Sequence, residues 1–431
     1  MAALCHCSLV PCVAVILTRR GWLRCSDAQV GDETVGYNRQ TSESEWTAIT
    51  AVRHYADVPL TRIGNSRWNA VTKPDHKWLN LPRVTVPVDP LPDKCPMCEW
   101  PNMPPISPPL SVCPECGWLP RAPGGVALHR RLKHGVKAAD RSQRQSTFRR
   151  RGKSTEGGVR IHLARVHGIR AAPQQAAYAT ETEWITTQDI RSRDRLLIAA
   201  QARTESTLDV TVKETAILGW IAGDGHVEVR RDVPRGRKSP SMSIAQSKPL
   251  LVEKLQRLLV DIPHADYVDE RLTRTGKIAC GPRHQFRLDH HYAQDLIRRA
   301  GHPKRDAVQQ VLAMSTEQRD AWLEAMIDAE GHKSMRDGYT KPFVTISQTY
   351  GPVLEAITLA AYLDGHRPRV LDNKVDHPGW SPSASVHLNK PIVTGTFLTR
   401  EDAGNGDAWC VTTELGTWTA QDGGHVFLTG D

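Results

Sequence analysis

The sequence predicts a multidomain chain: an all-β domain split by an insertion, a small zinc-binding module, and an α/β domain with an internal duplication. Three observations predict this. Two nonapeptides share one shape, Ile217-Leu218-Gly219-Trp220-Ile221-Ala222-Gly223-Asp224-Gly225 and Leu323-Glu324-Ala325-Met326-Ile327-Asp328-Ala329-Glu330-Gly331. Two Cys-x-x-Cys pairs stand ahead of spaced histidines. Short apolar runs broken by turn residues lie at both ends of the chain.

Taken in order, residues 1–90 carry β-like runs such as Val15–Thr18, Trp46–Val52 and Arg83–Val88, punctuated by Pro and Gly. Residues 91–170 hold the Cys/His cluster and a basic segment, and 171–204 read as a linker. From 205 to 390 helical and strand patterns alternate. Each acidic nonapeptide is followed by a strand containing Gln, Met242–Ser247 or Val344–Thr349, and then by a helix opened by Pro249 or Pro352. Residues 391–431 return to short strands that resemble the first 90 residues in character.

A chain of 431 residues exceeds one ordinary core, and 39% hydrophobic with 24% charged residues is the balance of a globular protein. The apolar run Val10–Leu17 is too short to span a bilayer, and no basic start precedes it. The expectation is an intracellular, cytoplasmic protein with no membrane partner. Residues 121–170 hold 14 Lys/Arg against 2 Asp/Glu, so the +9 net charge is concentrated there and the remainder is net acidic. A basic concentration of this kind is the footprint of a polyanion binder.

Each nonapeptide reads as an apolar helix with small residues on one side, closed by an acid and a glycine. Two small-faced helices can pack backbone to backbone, which would set Asp224 and Glu330 side by side. A close carboxylate pair in a basic protein is a way to hold divalent metal against phosphate. These nonapeptides, with Ile244-Ala245-Gln246-Ser247 and Ile346-Ser347-Gln348-Thr349, resemble the LAGLIDADG homing endonucleases of the single-chain, double-motif type. The resemblance covers about 205–390. It implies two pseudo-symmetric half-domains whose motif helices form the interface and whose curved sheets lie along a DNA major groove. It implies Mg2+ at Asp224 and Glu330, and close-packing positions at Gly219 and Ala325. Gln246 and Gln348 match the polar residues that orient water or substrate. Lys277 and Lys374 are the candidates for basic residues near the cleaved phosphates, with Lys238 and Lys341 as competitors. Glu330 stands where Asp is usual, which lengthens the reach by one methylene and predicts unequal cutting of the two strands.

Cys113 and Cys116, twelve further residues, His129, and after four more His134 have the spacing of a two-Cys, two-His zinc finger. Its helix would carry Arg130, Arg131 and Lys133 toward DNA, and Arg149, Arg150 and Arg151 add a basic run downstream. Cys95 and Cys98 repeat the cysteine half, and His162 and His167 the histidine half. Two zinc ions, one four-cysteine ribbon, or one finger flanked by remnants all fit this pattern.

The flanks resemble the Hint domain of inteins. Leu17-Thr18-Arg19-Arg20-Gly21-Trp22 and Gln29–Tyr37 look like its opening, Thr72–Trp78 like its Thr-x-x-His block, and Ala408–Thr412 with Val426–Asp431 like its closing blocks. The resemblance implies His76 straining a scissile amide, Cys12 attacking the preceding carbonyl with Cys7 as rival, and Asp431 at the cyclising position. Gly430 and Asp431 stand where that family has His and Asn, so splicing is expected to be impaired.

The function expected is therefore a site-specific, Mg2+-dependent double-strand DNA endonuclease of the intein-encoded kind. It would act as a monomer on a long recognition site, with Zn2+ in an accessory module. A DNA-binding regulator without cleavage, or an active self-splicing intein, are the alternatives.

Overall fold

The computed structural model describes residues 8–84, 177–178, 181–231, 238–269, 282–335, 342–373 and 381–431. The chain divides into two compact units, Met1–Arg83 with Tyr178–Asp431, and Val84–Ala177. Apart from its end residues, the second unit lies outside the described residues. With it lie the zinc candidates Cys95, Cys98, Cys113, Cys116, His129 and His134 and the basic candidates Arg130, Arg131, Lys133, Arg149, Arg150 and Arg151.

The first unit opens on strands: β1 (Val10–Pro11), β2 (Val15–Thr18), β3 (Gly21–Leu23), β4 (Glu33–Asn38), β5 (Glu43–Asn65), β6 (Trp68–Thr72), β7 (Lys77–Asn80) and β8 (Arg83–Val84). It resumes with β9 (Ala177–Tyr178), β10 (Glu183–Thr186) and β11 (Arg195–Leu197). The central stretch runs α1 (Val212–Ala222), β12 (Gly225–Arg231), β13 (Lys238–Gln246), α2 (Pro249–Leu258), β14 (His264–Asp269), β15 (Arg283–Leu288), α3 (His290–Ala300) and α4 (Ala307–Ala313). It continues with α5 (Thr316–Glu330), β16 (Gly331–Ser334), β17 (Phe343–Thr349), α6 (Pro352–Leu363), β18 (Arg367–Asp372) and β19 (Ser383–Asn389). The chain closes on β20 (Ile392–Thr394), β21 (Thr399–Thr413), β22 (Thr417–Asp422) and β23 (His425–Gly430).

Strands from the two ends of the sequence interleave in one sheet ordered β1-β21-β5-β4-β2-β22-β23, with β3 on β2 and β6 on β5. A second sheet is ordered β10-β7-β11-β20. Residues 183–197, expected as linker, thus form two of its four strands. The reason is local: Trp184 and Ile185 lie opposite Leu79 and Trp78, while Leu196 and Leu197 lie opposite Val393 and Ile392. Leu196 and Ile198 are fully buried beneath that pairing.

The central stretch holds two four-stranded antiparallel sheets, β12-β13-β15-β14 and β16-β17-β19-β18. Both have the order first, second, fourth, third. Their registers also match, since Gly225 pairs with Ile244 and Gly331 with Ile346. Both isoleucines are fully buried. The helices that lead into these sheets start alike. Thr211 Oγ1 accepts from the Glu214 N–H while Glu214 accepts from the Thr211 N–H. Ser315 and Gln318 repeat this reciprocal cap on α5. The helices also end alike. A Cβ on Gly225 would stand 2.3 Å from Ile221 Cα, and one on Gly331 would stand 2.3 Å from the Ile327 carbonyl oxygen. Each chain folds straight back over the last turn of its own helix, and only glycine leaves room.

Between α1 and α5 the backbones touch. A Cβ on Gly219 would meet the Trp322 carbonyl oxygen at 2.7 Å and Ala325 Cβ at 2.9 Å; one on Gly223 would meet Ala329 Cβ at 2.8 Å. From Ile217 to Ala222 every residue of α1 is buried, so this helix is apolar around its circumference rather than along one stripe. The core around the seam is continuous with that of the strand region: Leu17, Val35 and Leu79 cluster with Trp220 and Trp322. Tyr362 of α6 bonds to Thr419 of β22 at 3.1 Å. Among the described residues, no helix is long and apolar enough to cross a membrane.

Gly219→Val would drive methyl groups into the Trp322 backbone and is expected to destabilise the protein by on the order of 3 kcal/mol. Ala325→Gly, which only loosens the partner helix, should cost about 1 kcal/mol. Urea unfolding of the two variants measures the difference.

Candidate functional site

The seam delivers its two acids to one place. Asp224 follows the last turn of α1 and Glu330 ends α5, both half-buried. Glu330 Cγ lies 3.2 Å from where a Cβ on Gly223 would be. Gln246, at the end of β13, donates from Nε2 to Asp224 Oδ2 at 3.0 Å. Its Oε1 accepts from the Ser247 and Lys248 N–H groups, which fixes the amide orientation. Gln348 occupies the corresponding end of β17, but its Oε1 accepts from the Thr349 N–H and hydroxyl. The two glutamines, alike in sequence, therefore bond differently.

Burial pushes the Asp224 carboxyl above its ordinary range, against the opposing pull of Lys248, the Gln246 hydrogen bond and Lys304. Burial also raises Glu330, and the neighbouring Asp224 charge raises it further, while Lys304 and Lys248 oppose. Two desolvated carboxylates that repel each other are poised to accept a cation. Their donors are hard oxygens, the ligand type that suits a hard divalent cation rather than a thiophilic one.

Sequence reasoning missed the cations at this site. Lys277 and Lys374 lie outside the described residues, as does Lys341, and of Lys238 only the backbone is described. Lys304 is at the site instead. It sits between α3 and α4, its ammonium donates to the Gly223 carbonyl at 3.4 Å, and both acids feel its charge. Burial lowers its pKa and the two carboxylates partly restore it. Lys248, ahead of α2, is the second cation and is exposed. The repeat offers no signal for Lys304, because it stands in the connection between the two copies and occurs once.

A second polar cluster forms around His76, which is fully buried. Its Nδ1 lies 3.1 Å from the Leu9 carbonyl and its Nε2 2.8 Å from the Thr429 hydroxyl. Thr187 underlies it. The Thr187 N–H donates to the His76 carbonyl, and the Thr187 hydroxyl takes the Trp78 indole N–H at 2.8 Å. Ser8 is the hydroxyl at this place. Its Oγ accepts from the Lys77 N–H at 3.0 Å and lies 3.1 Å from where a Cβ on Gly430 would be. Cys12, expected as the attacking group, is hydrogen-bonded to Cys25, and its rival Cys7 lies outside the described residues. Burial first, then Cys25, push the Cys12 thiol up to about 11, which leaves it protonated and a weak nucleophile at neutral pH. The alignment of β1 along β21 continues through the Cys12 N–H to the Asp407 carbonyl, and this brings Cys12 near His54, the cross-strand neighbour of Trp409. Asp431 is half-buried; its N–H donates to the Gly416 carbonyl and its carboxylate accepts from the Thr413 N–H.

No protein-family model and no curated protein matches this chain. Solved structures do. The homing endonuclease I-DmoI in complex with DNA and Mn is 14% identical over 41% of this chain and 89% of its own, with a TM-score of 0.27. The homing endonuclease I-WcaI bound to its DNA recognition sequence is 12% identical over 42% of this chain and 77% of its own, at a TM-score of 0.29. A DnaB intein from Synechocystis sp. PCC 6803 is 14% identical over 17% of this chain and 56% of its own, at 0.16.

Two expectations follow from the electrostatics. A carboxyl whose folded pKa is raised weakens the fold only where it ionises. The penalty is absent below the ordinary carboxylate range and complete at neutral pH. Asp224→Asn should therefore raise the metal-free melting temperature at neutral pH, and the gain should vanish toward pH 3.8, as calorimetry across pH would show. Burial lowers His76 from 6.5 to about 3, so nitrogen chemical shifts should report a neutral ring still at about pH 5.

Proposed function

We propose that this chain is a site-specific, double-strand DNA endonuclease of the intein-encoded LAGLIDADG type, acting as a monomer on a long target. The observation that carries this reading is the acid pair itself. Asp224 and Glu330 meet at the ends of two helices whose backbones touch, each leading into a sheet of the same strand order and register. On this reading the two copies are half-domains, and the sheets read base edges while backbone contacts supply affinity.

A bound Mg2+ would polarise the scissile phosphate and supply hydroxide at neutral pH. Asp224 and Glu330 would hold it. Gln246, with its amide fixed by two backbone donors, keeps Asp224 Oδ2 oriented. Lys304 places a half-buried positive charge beside both acids, where charge develops on a cleaved phosphate. Gln246 bonds to Asp224, whereas the Gln348 amide oxygen is turned to Thr349. That asymmetry supports unequal rates on the two strands.

The strand region is assigned as a Hint-type processing domain with impaired splicing. On this reading Ser8, whose hydroxyl accepts from the Lys77 N–H and lies near Gly430, would be the attacking group and His76 the neutral imidazole. The Asp431 carboxylate lacks the amide nitrogen that cyclisation requires, and Gly430 offers no imidazole.

Incubating the protein with a random-sequence DNA library and Mg2+ should yield cuts within one long sequence class; an uncut library would overturn the assignment. Asp224→Asn should reduce cutting by at least ~10³-fold with target binding retained. Lys304→Ala should reduce it by about 10²-fold, read as a loss in kcat rather than in affinity.

A further inference from the structure

Three residues outside both clusters converge on one point. Cys12 lies in the turn after β1, Cys25 in the turn after β3, and His54 within β5. Their two sulfurs and an imidazole nitrogen all lie within 4.8 Å of one another. Neither cysteine is in a disulfide. The surroundings hold each in place. The Cys12 N–H donates to the Asp407 carbonyl at 3.0 Å. His54 stacks on Trp409, its cross-strand neighbour, with centroids 6.4 Å apart and planes 13° from parallel. Both cysteines pack at the margin of the strand-region core, half-buried, while His54 is exposed and gives solvent a way in.

We propose that Cys12, Cys25 and His54 form a structural site for a thiophilic divalent cation, zinc before others, distinct from the cysteines at 95–116. Two thiolates and an imidazole are zinc's ligand chemistry, and they exclude Mg2+ and Ca2+. Tetrahedral zinc with sulfur bonds of about 2.3 Å holds its ligand atoms ~3.8 Å apart. The observed separations, all within 4.8 Å, exceed that spacing by about 1 Å at most. The fourth position falls to water or to the Asp407 carboxylate, whose charge already reaches Cys12. The cation would tie the turn after β1 to β3 and β5. It would thereby clamp Ser8–Val10, the segment that supplies the hydroxyl and the carbonyl beside His76.

The test uses the full chain, purified without chelator, and measures zinc per chain by native mass spectrometry for the unaltered protein, Cys25→Ser and His54→Ala. Each variant should carry about one zinc fewer than the parent. In a background with Cys95, Cys98, Cys113 and Cys116 changed to Ser, Co2+ should give a thiolate charge-transfer band, and Cys25→Ser should abolish it. His54→Ala alters an exposed side chain and keeps the test valid if Cys25→Ser folds poorly. Equal zinc in the parent and both variants would overturn the site. So would a Cys12–Cys25 disulfide in protein isolated without oxidant.

Discussion

A Cβ on Gly219 would stand 2.7 Å from the Trp322 carbonyl, and the absence of that one atom governs the middle of this protein. Because α1 and α5 meet at backbone distance, nothing wider than hydrogen or methyl can sit along the seam. The helix ends are then forced together, and whatever polar group each helix ends on becomes the other's neighbour. The glycine that follows each acid does the complementary work, sending the chain back over its own helix into a sheet. Small residues thus fix the position of the two carboxylates more firmly than any hydrogen bond the carboxylates make.

The cost of the arrangement is electrostatic. Two half-buried acids repel, and the chain offsets this with one half-buried lysine, one exposed lysine and one glutamine. The compensation is incomplete, since both acids remain raised. A site left under strain in this way gains from a cation what it forgoes in stability without one. The His76 cluster follows the opposite logic. Its imidazole is neutral, satisfied on both nitrogens and sealed by Trp78, Thr187 and Thr429.

What the sequence made legible was whatever repeats or has local periodicity. The small faces around Gly219 and Ala325, the acids after them and the Gln-bearing strands could be read because each occurs twice at matching offsets. The strands of the two chain ends could be read from short apolar runs. What could not be read depends on contacts far apart along the chain. Lys304 is single, Ser8 is one hydroxyl among many, and the strands at 183–197 are too short to announce themselves without Lys77–Asn80 opposite. The grouping of Cys12 with Cys25 and His54 could not be read either, because it depends on the pairing of β1 and β5 with β21. The glutamines show a subtler limit: their local sequences are alike, yet Gln246 bonds to its acid while Gln348 turns its amide oxygen to Thr349.

The strand region is assembled from both ends of the chain, and that fixes a temporal order. His76 finds its Nε2 partner in Thr429, and β21–β23, which follow the helical seam along the chain, fill places beside β1, β5 and β2. During synthesis the helical seam can close while this sheet is still short of the strands it needs. The contact between His76 and Thr429 therefore forms only after both helices of the acid pair have been made. Long sequence separation works here as a built-in delay, because partners far apart along a chain must wait for the later one to be made before they can meet.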